Sequence, residues 1–437
     1  MPKRVYIETY GCQMNVADTE LMFGVLQAAG YERSDTPDDA DVILVNTCAV
    51  RDNAEQRVVG RVGELQRHKR PGDVLGVVGC MAQRLGPRLL ESAPKVDLVA
   101  GPDVYRNLPA LVAESARGAR VSETEFRSWE HYEDVPPLRE VGPTQFVTVQ
   151  RGCDFRCTFC IVPYTRGPER SRTLQDVVRE VRALAEQGTT EVTLLGQTVN
   201  SYRNGDDDFA DLLRAVGAVD GIRRLRFTSP YPTEFTPRVI EAMATTAAVC
   251  EHVHLPVQSG SNQVLRRMLR RYSREEYLAV MDRLRGAIPD ITFSTDIIVG
   301  FPGETEEQFG ETLSLVAEAR FDDAYTFKYS PRDGTPATRM KESLEDDVAS
   351  ERLARLVAAV RDQARRRNLG RVGTEHEVLV ERRARRGGML GRTRTNALVL
   401  LPLSEADIGR YLTVRLTGST GSTFIGTIVH ERGLAVL

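Results

Sequence analysis

Three of the seven cysteines, Cys153, Cys157 and Cys160, stand in one short run, Arg-Gly-Cys-Asp-Phe-Arg-Cys-Thr-Phe-Cys. The spacing C-x-x-x-C-x-x-C puts three thiols on one tight loop. Three thiolates hold three irons of a 4Fe–4S cube and leave the fourth open to a substrate. Full clusters of electron carriers have four cysteines, so a missing ligand points to chemistry rather than electron storage. Zinc would need a fourth nearby Cys or His, and the local sequence offers neither. The bland alternative is a chance group of buried cysteines.

A second set, Cys12, Cys48 and Cys80, is scattered, yet each follows a run that reads as a buried strand: Tyr-Gly-Cys12, Asn-Thr-Cys48 and Val-Gly-Cys80. In a parallel sheet the carboxyl ends of the strands share one edge, where ligands bind in open α/β folds. Three thiols from three such ends would converge on a second three-thiolate cluster, with Gly11 and Gly79 allowing close backbone approach. Independent core cysteines are the competing reading. Cys250 has no partner in sequence and reads as a small buried residue.

The elements that must position these residues follow from hydrophobic periodicity. In 1–118, apolar runs at Arg4–Thr9, Asp41–Thr47 and Val74–Gly79 alternate with helical patterns at Glu20–Ala29 and Asp52–Arg70, which predicts an open parallel α/β domain. Residues 119–143 are acidic, carry Trp129 and hold Pro136, Pro137 and Pro143, the signature of an extended linker. In 144–370, candidate strands at Gln145–Val149, Glu191–Leu195, Arg223–Phe227, His252–Leu255, Ile291–Ile298 and Ala324–Tyr329 alternate with helical patterns at Leu174–Glu186, Ala210–Val216, Arg274–Ala287 and Glu306–Ala319. Six repeats predict a partial (β/α)6 barrel with its site at the carboxyl ends of the strands; a helix near Asp347–Asn368 follows. In 371–437, alternating runs at His376–Val380, Ala397–Leu401, Leu412–Leu416 and Thr423–Val429 between glycines predict a small all-β barrel.

C-x-x-x-C-x-x-C after a strand, ahead of a partial barrel, resembles the radical SAM superfamily. The resemblance implies S-adenosylmethionine (SAM) on the open iron, cleaved by one electron to a 5′-deoxyadenosyl radical. Gln197, in Leu194-Leu195-Gly196-Gln197, is then a candidate for the methionine amine of SAM, or simply a loop residue. The segment Asp296-Ile-Ile-Val-Gly300-Phe-Pro-Gly303-Glu-Thr is similar to the stretch that packs against adenine and ribose, making Asp296 and Gly300 candidates; no Gly-Lys-Ser/Thr follows, so it is no Walker phosphate loop. His252 and His254 face one way on a strand, as inward hydrogen-bonding groups or, less simply, a metal pair lacking a third ligand.

The three-cysteine α/β domain, the barrel and the terminal β module, with its Asn396 and Phe424-Ile-Gly-Thr, together resemble the methylthiotransferases, the last module being TRAM-like. Cys160-Ile-Val-Pro-Tyr-Thr-Arg-Gly, His254-Leu-Pro-Val-Gln-Ser-Gly-Ser and Tyr329-Ser-Pro-Arg-Asp-Gly-Thr-Pro-Ala fit that family. Gly11-Cys12-Gln13-Met14-Asn15 and Asn46-Thr-Cys48-Ala-Val-Arg-Asp-Asn-Ala-Glu-Gln look like its MiaB branch. That branch acts on isopentenyl-adenosine beside the tRNA anticodon. The implied set is two 4Fe–4S clusters, SAM, the anticodon stem-loop of tRNA, and an external electron donor such as flavodoxin or ferredoxin, in a monomer. Rival targets are threonylcarbamoyl-adenosine in tRNA or a ribosomal protein. The rival from another class is a non-catalytic iron–sulfur RNA binder or sensor.

Net charge is −3 with 41% hydrophobic and 27% charged residues, a globular composition that announces no nucleic-acid partner globally. Locally, Arg361 to Arg394 hold eleven arginines against four acidic residues, Asp362, Glu375, Glu377 and Glu381, which suits RNA phosphates or a merely solvated face. No apolar run is long enough to span a membrane. The start has no apolar core or cleavage site, so the expectation is a reducing cytoplasm, where clustered thiols are metal ligands or catalysts more often than disulfides.

Overall fold

The computed structural model describes residues 2–49 and 52–431, with 52–57, 430 and 431 known by backbone only. Val50 and Arg51 of the Asn46–Gln56 motif, and residues 432–437 of the terminal module, therefore lie outside the described residues.

The first sheet runs β2 (Glu32–Arg33), β1 (Arg4–Thr9), β3 (Val42–Thr47), β4 (Val74–Gly79), β5 (Leu98–Ala100), β6 (Val121–Glu123), every neighbour parallel. β3 and β4 are buried at every position because helices cover both faces, hence their unbroken apolar runs. One face packs Leu21, Met22 and Leu26 of α1 (Gln13–Ala28). The other packs Val58, Val62 and Leu65 of α2 (Asp52–Leu65), the face expected from periodicity. Two expectations shift. α1 begins at Gln13 rather than Glu20, because its first turns bury Asn15 and Asp18 against other segments and so carry no apolar period. β6 takes three residues of the stretch expected as linker into the sheet, and Tyr132 and Glu130 beyond it are buried. Pairing with β5 and the Arg106–Glu130 ion pair (2.9 Å) tie that stretch down.

The barrel consists of two parallel three-stranded sheets. β7 (Thr144–Thr148), β8 (Glu191–Leu195) and β9 (Arg224–Phe227) form one, and β10 (His252–His254), β11 (Thr292–Val299) and β12 (Asp323–Lys328) the other. A parallel bridge between Leu225 and Val249 carries one into the next. Helices over Leu174–Glu186, Arg274–Ala287 and Glu306–Ala319 have the expected bounds. Their starts are written in sequence: Thr173 accepts from the Asp176 amide, and Ser273/Glu276 and Thr305/Gln308 are reciprocal capping boxes.

A 26-residue helix, Asp346–Arg371, packs on β12 and leads into a closed barrel, β13 (Glu375–Arg383), β14 (Met389–Thr393), β15 (Leu398–Leu401), β16 (Tyr411–Ser419) and β17 (Thr423–Glu431), in the order β13-β14-β15-β17-β16. The turn after β14 docks against the amino ends of the large barrel's strands. There Arg224 donates to the Arg392 carbonyl (2.7 Å), Arg226 to the Thr393 carbonyl (2.8 Å), and Arg394 pairs with Glu251 (2.7 Å). No described helix is long and apolar enough to cross a membrane.

Candidate active site

Cys48 and Cys80 stand directly after β3 and β4, and Cys12 follows β1 beyond Tyr10 and Gly11; the three strands are adjacent in the sheet. Gly11 (φ 132°) makes the approach: a Cβ there would lie 2.6 Å from that of Cys48. Gly79 (φ 92°) is as tight, 2.5 Å from Asn46 Oδ1. The Cys12 thiol donates to Asn15 Oδ1 (3.4 Å), and Asn15 Nδ2 donates to Asn46 Oδ1 (3.1 Å). Asn46 Nδ2 returns a bond to the Asn15 carbonyl (2.8 Å), so this buried asparagine pair locks the Cys12 turn to the end of β3. A hydrogen bond from Cys48 draws the Cys12 thiol down to about 6 against the opposing effect of burial. A thiolate, the form that binds metal, is thus favoured.

Cys153, Cys157 and Cys160 lie on the loop after β7. The Cys153 sulfur is 3.0 Å from Thr198 Oγ1. Arg270 NH1 donates to the Cys157 sulfur (3.4 Å). Burial, then the neighbouring Cys157, pushes the Cys160 thiol up to about 12, and burial raises Cys153. Thiols crowded and desolvated in this way are stabilised as thiolates by a bound cationic group.

The two trios meet. Cys80 packs against Ile161, the neighbour of Cys160, and against Ala49, the neighbour of Cys48. Arg166, from the short helix Val162–Arg166, donates Nε to the Cys80 sulfur (3.2 Å) and pairs with Asp18 (2.7 Å). Arg151 holds the other Asp18 oxygen (2.9 Å). Met14 and Ala17 of α1 pack on Phe146 and Leu195 of the barrel. Arg332, past the last barrel strand, is within electrostatic reach of Cys48. Asn15, Asn46, Asp18, Arg166, Thr198 and Arg270 were not singled out from sequence; Asn15, Asn46 and Arg166 lay in quoted motifs, and only that signal could have found them.

No three His, Cys, Asp or Glu side chains among the described residues gather closely enough for a single ion. The six thiols of the two trios are free, and thiolates of a polynuclear cluster each bind a different iron, the donor set that two iron–sulfur cubes would use. Gln197 Oε1 is buried and accepts no hydrogen bond from the described residues, so an amine donor would satisfy it. Asp296 sits mid-strand on β11, with His254 Nε2 3.4 Å away. His252 and His254 both contact Ser294 Oγ (3.1 and 2.9 Å), as inward hydrogen-bonding groups. Gly300 (φ 73°) ends the strand where a Cβ would meet that of Ala349 at 2.8 Å, so it admits the long helix. Cys250 is buried beside Arg226.

Of the basic stretch, Arg366, Arg367, Arg383, Arg392 and Arg394 are spent on internal ion pairs. Arg361, Arg365, Arg382, Arg385 and Arg386 form none among the described residues, and Arg385 and Arg386 are exposed on the turn between β13 and β14.

Residues 147–316 match the radical SAM superfamily, 4–101 the uncharacterized protein family UPF0004, and 370–429 the TRAM domain. A Chloroherpeton thalassium protein named tRNA-2-methylthio-N(6)-dimethylallyladenosine synthase is 43% identical over 430 residues, covering 97% of this chain and 95% of its own. One of the same name from Carboxydothermus hydrogenoformans is 42% identical and covers 99% of each chain. In fold, the chain is similar to the radical S-adenosylmethionine methyltransferase TsrM of Kitasatospora setae, with TM-score 0.58, 16% identity and 77% of each chain covered.

Proposed function

The chain belongs to the tRNA-2-methylthio-N(6)-dimethylallyladenosine synthase family, and on that premise we propose that it replaces the hydrogen on carbon 2 of isopentenyl-adenosine-37 in tRNA with a methylthio group. Cys153, Cys157 and Cys160 would hold one 4Fe–4S cluster with SAM at its open iron, and Cys12, Cys48 and Cys80 the second. When bound, these groups supply a 5′-deoxyadenosyl radical and a methylthio group, for a C–H bond that no side-chain base could ionise.

The chain's own residues do the placing. Gln197 receives the methionine amine of SAM, and Asp296 and Gly300 flank its adenosine. The Asn15–Asn46 pair orients Cys12 and Cys48. His254 and Asp296 offer polar groups inside the barrel to an extruded base. A loop nucleotide is already partly unstacked, so its extrusion costs only a few kcal/mol. Arg385 and Arg386 meet RNA phosphates. Electrons come from a flavodoxin or ferredoxin, and the enzyme works as a monomer in a reducing cytoplasm.

The observation that carries this reading is the junction of the two trio-bearing segments through Cys80, Ile161 and Arg166. It supports two groups acting on one substrate rather than two separate electron stores. Anaerobically purified protein should contain about eight irons and eight sulfides per chain; about four would leave one cluster. Cys157→Ala should abolish deoxyadenosine formation. Cys48→Ala should retain SAM cleavage and lose thiolation, and retained thiolation would remove the second cluster from the reaction. Mass analysis of tRNA modified by the enzyme separates isopentenyl-adenosine from threonylcarbamoyl-adenosine as the target.

A further inference from the structure

Each trio has a thiol that accepts from a guanidinium: Cys80 from Arg166 Nε at 3.2 Å and Cys157 from Arg270 NH1 at 3.4 Å. The charge around these two arginines does not balance. Arg270 forms no ion pair among the described residues. Its other bonds go to neutral oxygens, Tyr272 Oη (2.8 Å) and the Pro256 carbonyl (3.0 Å), and it lies over the rings of Tyr231 (4.5 Å) and Tyr272 (5.1 Å). Arg166, 4% exposed, shares the single carboxylate of Asp18 with Arg151, and its NH1 is buried without a hydrogen-bond partner. Two guanidinium groups against one carboxylate leave one positive charge in excess beside Cys80. A buried cation without a counter-charge is strongly disfavoured, so each arginine implies an anion where its free charge points, and in both places that is a cysteine trio.

An iron–sulfur group on three thiolates gains one negative charge on reduction. A fixed neighbouring cation and an N–H···S bond favour the reduced form, and hydrogen bonds to the sulfurs are among the factors that set cluster potentials.

We propose that Arg166 and Arg270 are positioning residues that raise the reduction potentials of the two clusters, one each, and that Arg166 does so from the barrel segment onto the amino-terminal trio. That trio's electrostatic surroundings are then complete only when the two segments are docked. The inference rests on the two-cluster reading above.

The test uses full-length protein in two single-cluster backgrounds, one with Cys153, Cys157 and Cys160 replaced by Ala and one with Cys12, Cys48 and Cys80 replaced by Ala. Redox titration monitored by electron paramagnetic resonance gives each potential. In the first background Arg166→Gln should shift the potential downward, Arg166→Lys should shift it less, and Arg270→Gln should leave it in place. In the second background Arg270→Gln should shift it downward, with Arg166→Gln silent. Should Arg166→Gln lose its fold, the smaller downward shift in Arg166→Lys, with Arg270→Gln silent in that background, carries the result. Clusters present with potentials unmoved, or moved equally by both substitutions in both backgrounds, overturn the proposal and leave the two-cluster reading standing. A background that binds no cluster overturns both.

Discussion

Asp18→Asn tests how the amino-terminal domain is held on the barrel. Asp18 is 0% exposed, with one oxygen 2.9 Å from Arg151 and the other 2.7 Å from Arg166. At charge separations near ~4 Å and an effective dielectric constant of about 20, each pair is worth roughly 4 kcal/mol of Coulomb energy. Desolvating three ions offsets most of that. Removing the shared anion is a different matter, because both guanidinium groups stay buried and uncompensated, which costs about 3–5 kcal/mol. Asparagine fits the space, but its amide nitrogen would face one arginine donor to donor. Asp18→Asn apoprotein should therefore lose about 3–5 kcal/mol in urea unfolding, and protease should cut the stretch after β6 sooner. A cycle with Arg151→Met should return a coupling energy of about 1 kcal/mol or more, because the two residues share a bond. Burial pushes the Asp18 carboxyl up, yet Arg166 and Arg151 outweigh it and hold the group below 3.8. Its contribution is thus full above that value and fades as pH falls through the lower folded one. An Asp18→Asn protein within about 1 kcal/mol of its parent at neutral pH would refute the argument, since two buried guanidinium groups left without their anion should cost about 3–5 kcal/mol.

Three further outcomes are expected. Replacing Arg385 and Arg386 by Ala should lower tRNA affinity and reduce the slope of log affinity against log salt by about one unit per arginine; an unchanged slope would place the RNA elsewhere. Glu169, whose Oε2 accepts from Ser201 Oγ (2.7 Å), is pushed by burial from 4.5 up to about 7. A raised carboxyl pKa favours the protonated fold, so stability is fullest at low pH and declines as pH rises toward 7. The melting-temperature advantage of Glu169→Gln should accordingly widen between about pH 5 and pH 8, and a constant difference would exclude the titration. Arg224→Met should loosen the terminal barrel, because Arg224 is 0% exposed and donates to the Arg392 and Glu377 carbonyls and to Glu377 Oε1. Residues 392–396 should then exchange amide hydrogens faster, and unaltered exchange there would mean that the turn holds without it.

The residues themselves determined what depends on neighbours along the chain. Helices Leu174–Glu186, Arg274–Ala287 and Glu306–Ala319 are legible because apolar side chains at helical spacing and Thr or Ser caps act over a few positions. The strands before Cys48 and Cys80 are equally legible, because a strand covered on both faces must be apolar throughout, and the one before Cys12 shows through its alternating Val5 and Ile7. Tertiary structure alone decided the rest. β6 is three residues long and takes its conformation from β5, not from its own composition. The first turns of α1 are polar because they bury Asn15 and Asp18 against other segments, and a pattern of apolar residues is blind to that. Five of the eleven arginines in the basic stretch close internal pairs, among them Arg394 with Glu251, far upstream in the chain. Arg166 meets Cys80 across the same kind of gap. Hydrogen bonds and ion pairs between distant segments leave no periodic trace, since each needs only one residue at each end; only the folded chain shows which two have met.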